Sequence, residues 1–182
     1  MVLSPEQKKM FLAIAMNCLR RPGETRPFFS KDIPINQELE KLKQGLKTGE
    51  IDEGFLERFF PKAYCGVAAQ TGSDPVFGYY LLEHNKIQNL THFEQLRESE
   101  LFDWCTVWPA TVLGKSSAEH GEKWIIKTHK GKTREVTNDI YPGIENVKEN
   151  ELVPGTRVLV HRDAICLKLS DEQYQKAVDM FI

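Results

Sequence analysis

The sequence predicts an α+β chain, with a helical N-terminal domain over residues 1–102 and a small OB-like β-barrel closed by a C-terminal helix over residues 103–182. Three observations carry this. Apolar residues recur at helical spacing through the N-terminal part. Near residue 103 the pattern changes to short runs rich in Val, Ile, Thr and Trp, separated by turn residues. A helix-start signal, Ser170-Asp171-Glu172-Gln173, then opens the last segment.

The elements follow in order. Ser4-Pro5-Glu6-Gln7 combines a capping Ser, a Pro suited to the first helical position and a Gln where a capping box wants one. Met10, Phe11, Ile14, Cys18 and Leu19 then form an apolar stripe, ended by Pro22-Gly23. Residues 21–35 read as an irregular connection. Asn36 to Lys47 forms a second helix through Leu39, Leu42 and Leu46, with Gly49 as its stop. Ile51 to Phe60 forms a third, which Pro61 breaks. A fourth runs from Asp74-Pro75 through Phe77, Tyr80 and Leu81 to about His84, and a fifth, shorter one spans Thr91 to Glu100.

Strands are expected over Cys105–Leu113, Lys123–Thr128, Thr133–Thr137 and Arg157–Val160. His129-Lys130-Gly131-Lys132 reads as a hairpin turn and Pro154-Gly155 as a second turn. Several short strands with regular turns suggest closure into a barrel, because closure removes exposed edges.

Composition narrows the function classes. The chain has 182 residues, 41% hydrophobic and 27% charged, with net charge −2. That balance fits a folded soluble domain and gives no global attraction to nucleic acid or anionic membrane. No run approaches the ~20 apolar residues of a membrane-spanning helix. The N-terminal stretch, with Glu6, Lys8 and Lys9, does not read as a signal peptide, so a cytoplasmic location is expected. The cysteines Cys18, Cys65, Cys105 and Cys166 are dispersed, with no C-x-x-C pair, and are expected as free thiols.

The order of motifs in the C-terminal part resembles the hydrogenase-maturation chaperones of the HypC/HupF family. Cys105-Thr-Val-Trp-Pro109-Ala110 is similar to their Cys-x-x-x-Pro opening, and Gly131-Lys-Thr-Arg-Glu-Val136 to their middle motif. Gly155-Thr-Arg-Val-Leu-Val-His161 matches the third motif, Ala164-Ile165 follows, and Leu169-Ser-Asp-Glu-Gln173 is similar to the acidic helix start. The resemblance implies a HypC-like fold and a non-enzymatic accessory role in nickel–iron hydrogenase maturation. The implied partners are a hydrogenase large-subunit precursor or maturation-factor proteins. It also implies transient binding of an iron fragment carrying carbon monoxide and cyanide, with Cys105 as ligand and His161 as its helper.

The residue types suit that chemistry, since a thiolate is a soft ligand for low-spin iron. His161 could ligate, orient or accept the thiol proton, or be a hydrogen-bonded structural histidine. Cys65, near Gly66 after Pro61, could supply a second thiolate or be a half-buried cysteine in a turn. The sequence departs from the family where Cys105 lies inside the chain, where Ala110 replaces Gly, and where Arg162-Asp163 replaces Gly-Phe.

Other readings follow from single residues. Cys18 and Cys166 are expected in the core. His84, His92, His120 and His129 are expected in solvent, and Arg162-Asp163 in a surface turn. An OB-like module could bind single-stranded nucleic acid through exposed Trp104, Trp108 and Trp124, aided by a ribbon of Lys123, Lys127, Lys130, Lys132 and Arg134. The alternative for the ribbon is a solvated hairpin face, and a third reading of the domain is a pure protein-interaction module that kept the fold and lost the metal role. A Cys–His hydrolase lacks a third orienting group, and a zinc site lacks paired ligand spacing.

Overall fold

The computed structural model describes residues 2–20, 35–86, 106–116 and 123–181. Helix α1 (Pro5–Ala15) begins as the capping box requires: the Gln7 N–H donates to Ser4 Oγ at 3.2 Å and the Ser4 N–H to Gln7 Oε1 at 2.9 Å. It continues into a 3₁₀ turn, Met16–Arg20. Helix α2 (Ile35–Thr48) stops where Gly49 adopts φ +73° and donates its N–H to the Gly45 carbonyl.

The expected third helix is two. Asp52 caps α3 (Glu53–Phe59), and Pro61 opens α4 (Pro61–Ala68). Proline lacks the N–H that a first-turn residue does not need, so Pro61 starts a helix as readily as it ends one. Cys65 therefore lies within α4 and is exposed, not in a turn. A short α5 (Pro75–Phe77) runs into a π-helix, Gly78–His84. The expected helix over 91–100 and the boundary at 102/103 lie outside the described residues.

Strands β1 (Val107–Ser116), β2 (Lys123–Thr128), β3 (Thr133–Val136), β6 (Arg157–His161) and β7 (Ala164–Lys168) form one antiparallel sheet in the order β3-β2-β1-β6-β7. The short strands β4 (Asp139–Tyr141) and β5 (Ile144–Glu145) pair separately, in a segment the pattern did not mark as strand. The barrel expectation is corrected: the sheet is not closed. β3 ends after four residues, so Thr137 reaches the far edge at Ala164 through a single parallel bridge, and the chain then turns into the β4–β5 hairpin. Both turn glycines behave as expected, Gly131 at φ +86° and Gly155 at φ +94°. Helix α6 (Asp171–Met180) closes the chain with the expected Ser170–Gln173 capping box.

The sheet separates two cores by residue parity. On β6, Val158 and Val160 join Ala110, Val112, Trp124 and Ile126 under a cover that includes Val147 and Leu152. Leu159 faces the other way, into a cluster that also holds Val107, Leu167 and Ala177 with Phe11, Phe60 and Tyr80 of the helical part. Helical part and sheet thus share one continuous apolar core. Among the described residues no helix is long and apolar enough to cross a membrane.

A Cβ on Gly49 would lie 2.3 Å from the Pro5 carbonyl oxygen, whereas one on Gly131 meets nothing within 4 Å. Gly131→Ala should therefore cost only the left-handed strain, about 1 kcal/mol. Gly49→Ala adds a backbone clash and should cost at least ~2 kcal/mol. Urea unfolding of the two variants checks the difference.

Candidate functional site

The site is built where β1 outruns β2. The last residue of β2, Thr128, stands opposite Ala110, so the preceding residues of β1 have no β2 neighbour. Backbone groups left there need other partners. Asn85, fully buried just after the π-helix, supplies them: its Oδ1 accepts from the Val107 N–H at 2.9 Å and its Nδ2 donates to the Val107 carbonyl at 3.1 Å. Pro109 has no N–H to satisfy, and its carbonyl accepts from the His129 N–H at 2.9 Å. Across the ladder from Val107 stands His161, whose carbonyl accepts from the Asn17 Nδ2. Two asparagine amides from the helical part thus take the place of missing strands.

His161 is 1% exposed. Its Nδ1 lies 3.2 Å from the Ile14 carbonyl oxygen. A carbonyl only accepts, so Nδ1 carries the proton and Nε2 is left as the basic nitrogen. The Cys18 Sγ is 3.9 Å from both ring nitrogens, a position aligned with neither lone pair. The His84 ring meets His161 edge-to-face at 5.4 Å, and Tyr80 lies 5.5 Å from His84 and 6.5 Å from His161. The partner that meets this histidine is Cys18, a residue expected simply as core and in fact only partly buried. Its place four residues after Ile14 on the α1 stripe is the one signal for it in the sequence. Nothing in that stripe says which strand it covers.

Several expectations change. Cys105, Trp104, His92 and His120 lie outside the described residues. Cys65 is exposed on α4. Cys166 is buried as expected, and burial pushes its thiol well above the ordinary range. His84 and His129 are half-buried rather than solvated, with His84 Nδ1 and both His129 nitrogens shielded from solvent. Burial pushes the His84 imidazole down to about 4; the Asn85 side chain opposes this and the Arg162 guanidinium adds to it. His129 packs 4.3 Å from Phe181 and 5.8 Å from Trp108, and burial, then the Lys130 ammonium, hold it below its usual value. Arg162 is 6% exposed at φ +57°, because the two-residue link between β6 and β7 forces a left-handed conformation on it.

The nucleic-acid features also change. Trp108 and Trp124 are buried, Trp108 stacked on Phe181 at 4.8 Å, so neither offers a face to a base. Arg134 pairs with Ile126, whereas Lys127 pairs with Thr133, so alternation puts Arg134 and Lys127 on opposite sheet faces. Glu135 meets Lys123 at 3.7 Å and interrupts the basic ribbon.

Chemically, the cluster is an imidazole beside a thiol, oriented by a backbone carbonyl. Among the described residues no group of three or more His, Cys, Asp or Glu side chains is placed to hold a metal ion.

Two measurements test this geometry. Asn85→Ala strands two buried backbone groups of Val107 and should cost about 3 kcal/mol in urea unfolding at neutral pH. The His84 value in the folded chain lies below the ordinary 6.5, so the unfolded chain takes up the proton first. Stability should then fall as pH drops from about 6.5 toward about 4, by up to ~3 kcal/mol, and His84→Gln should flatten that slope.

No protein-family model matches this sequence, and neither the curated proteins nor the solved structures contain a match.

Proposed function

We propose that this chain is a non-enzymatic accessory protein that acts by binding a partner protein, with its sheet and C-terminal helix serving as a protein-interaction module. The observation that carries this reading is the position of His161. The strand Arg157–His161 is the part of the sequence most similar to the third chaperone motif, yet its histidine faces the protein's own helices. Its Nδ1 is committed to the Ile14 carbonyl and its ring is enclosed by Cys18, His84 and Tyr80. An imidazole so placed joins two parts of one molecule, which favours the scaffold use of the fold over a general base or a ligand for delivered iron.

The partner class follows from the motif resemblance: a hydrogenase large-subunit precursor or a maturation factor. The cargo version, in which an iron fragment with carbon monoxide and cyanide is handed over, rests on Cys105 and requires it to reach a second donor. A nucleic-acid-binding role has less support, because the described tryptophans are buried and the hairpin charges are of mixed sign.

The test is purification without oxygen from a host expressing active hydrogenase-maturation factors, for the native chain and Cys105→Ala. We expect both proteins to carry no iron and no infrared bands of bound carbon monoxide or cyanide, and both to retain the same co-purifying maturation protein. Iron with those bands in the native chain, lost in Cys105→Ala, would replace this reading with the cargo carrier. Failure of any maturation protein to co-purify with either would remove the partner class.

A further inference from the structure

Three polar side-chain atoms at the joint between helices and sheet are buried, and among the described residues none of them has a hydrogen-bond partner: Asn17 Oδ1, Tyr80 Oη and His84 Nδ1. Asn17 is 0% exposed and Tyr80 2%. Buried polar atoms are nearly always satisfied, because leaving one unmade forfeits its hydration without return. The two His129 nitrogens, also without a partner among the described residues, lie apart beside Trp108 and Phe181, whereas the three at the joint have a common neighbour. These three surround one residue: Asn17 donates to the His161 carbonyl, while the Tyr80 and His84 rings both pack on the His161 ring and on each other.

Their chemistry is complementary. The amide oxygen only accepts, the phenol donates and accepts, and the neutral imidazole nitrogen does one or the other according to tautomer. A species that satisfies them must itself both donate and accept. A cation is disfavoured, since Arg162 stands close enough to oppose a proton on His84. An anion without a proton to donate cannot satisfy the Asn17 oxygen, which only accepts. A metal ion finds no set of three suitable donors among the described residues.

From this geometry we infer that the joint is a binding site for one small neutral protic molecule, of the size and class of water, held by at least two of Asn17 Oδ1, Tyr80 Oη and His84 Nδ1. Buried waters typically make about three hydrogen bonds, which is the number of atoms left open here. The molecule completes the contact between the 3₁₀ turn, the π-helix and β6, and is a structural ligand of the joint. This inference is independent of the proposed partner binding.

The experiment is Tyr80→Phe in the full chain, with thermal unfolding and a crystal structure at a resolution that shows ordered solvent. The substitution keeps the ring and removes only the hydroxyl. If the hydroxyl bonds a held molecule, its loss should lower Tm by about 2–4 °C. The effect should be non-additive with that of His84→Leu, because both side chains share one ligand. The native crystal structure should show density within about 3.2 Å of two or more of the three atoms. An unchanged or raised Tm for Tyr80→Phe would overturn the inference, as would native crystals without that density even if Tm falls.

Discussion

A strand that extends beyond its neighbour exposes hydrogen-bonding groups that nothing in the sheet can meet, and the architecture of this protein turns on how Val107 solves that problem. The Asn85 amide presents one acceptor and one donor in the spacing of a peptide unit, so it closes the ladder as a single residue of strand would. Because Asn85 follows the π-helix directly, that pairing fixes where the helical part meets the sheet. The Asn17 contact to His161 does the same from the 3₁₀ turn, one strand over. Hydrophobic burial holds the halves together, but it is non-directional. The two amides set the register of the docking.

The joint explains the state of the groups around it. Burying an imidazole disfavours its charged form, and His84 is so buried where the π-helix packs on the His161 ring of β6. His161 donates a hydrogen bond to the α1 backbone, which fixes a proton on Nδ1 and directs its side chain inward. A strand sequence specifies a face by alternation, and which element covers that face decides whether a polar side chain there meets solvent, cargo or backbone.

Much of the fold was legible because its signals are local. The Ser4–Gln7 and Ser170–Gln173 boxes, the Gly49 stop and the Gly131 and Gly155 turns each act within a few residues, and all appear where the sequence places them. Pro61 was ambiguous, since the same ring that ends α3 begins α4. The β4–β5 hairpin is too short for alternation to reveal. Barrel closure failed as an expectation because it depends on the reach of β3, a length that turn signals do not set. The site was the least legible. Valine at 107 and the Asn85 side chain are 22 residues apart in sequence, and Cys18 and His161 are 143 apart. His84 and His129 look solvent-exposed in sequence because their neighbours are polar, while their burial comes from other elements.

The strand β6 carries a further consequence for how such a protein can change over evolutionary time. Its five residues serve two masters in alternation: Val158 and Val160 belong to the core beneath the Val147–Leu152 segment, and Leu159 and His161 to the interface with the helices. The two packing environments can therefore diverge separately, each drifting through its own set of alternate positions. A lineage could exchange the whole helical part for an unrelated one while keeping the outer core, provided that Leu159 and His161 were re-matched. The recognisable Val-Leu-Val pattern would survive that exchange, and the meaning of the histidine beside it would not.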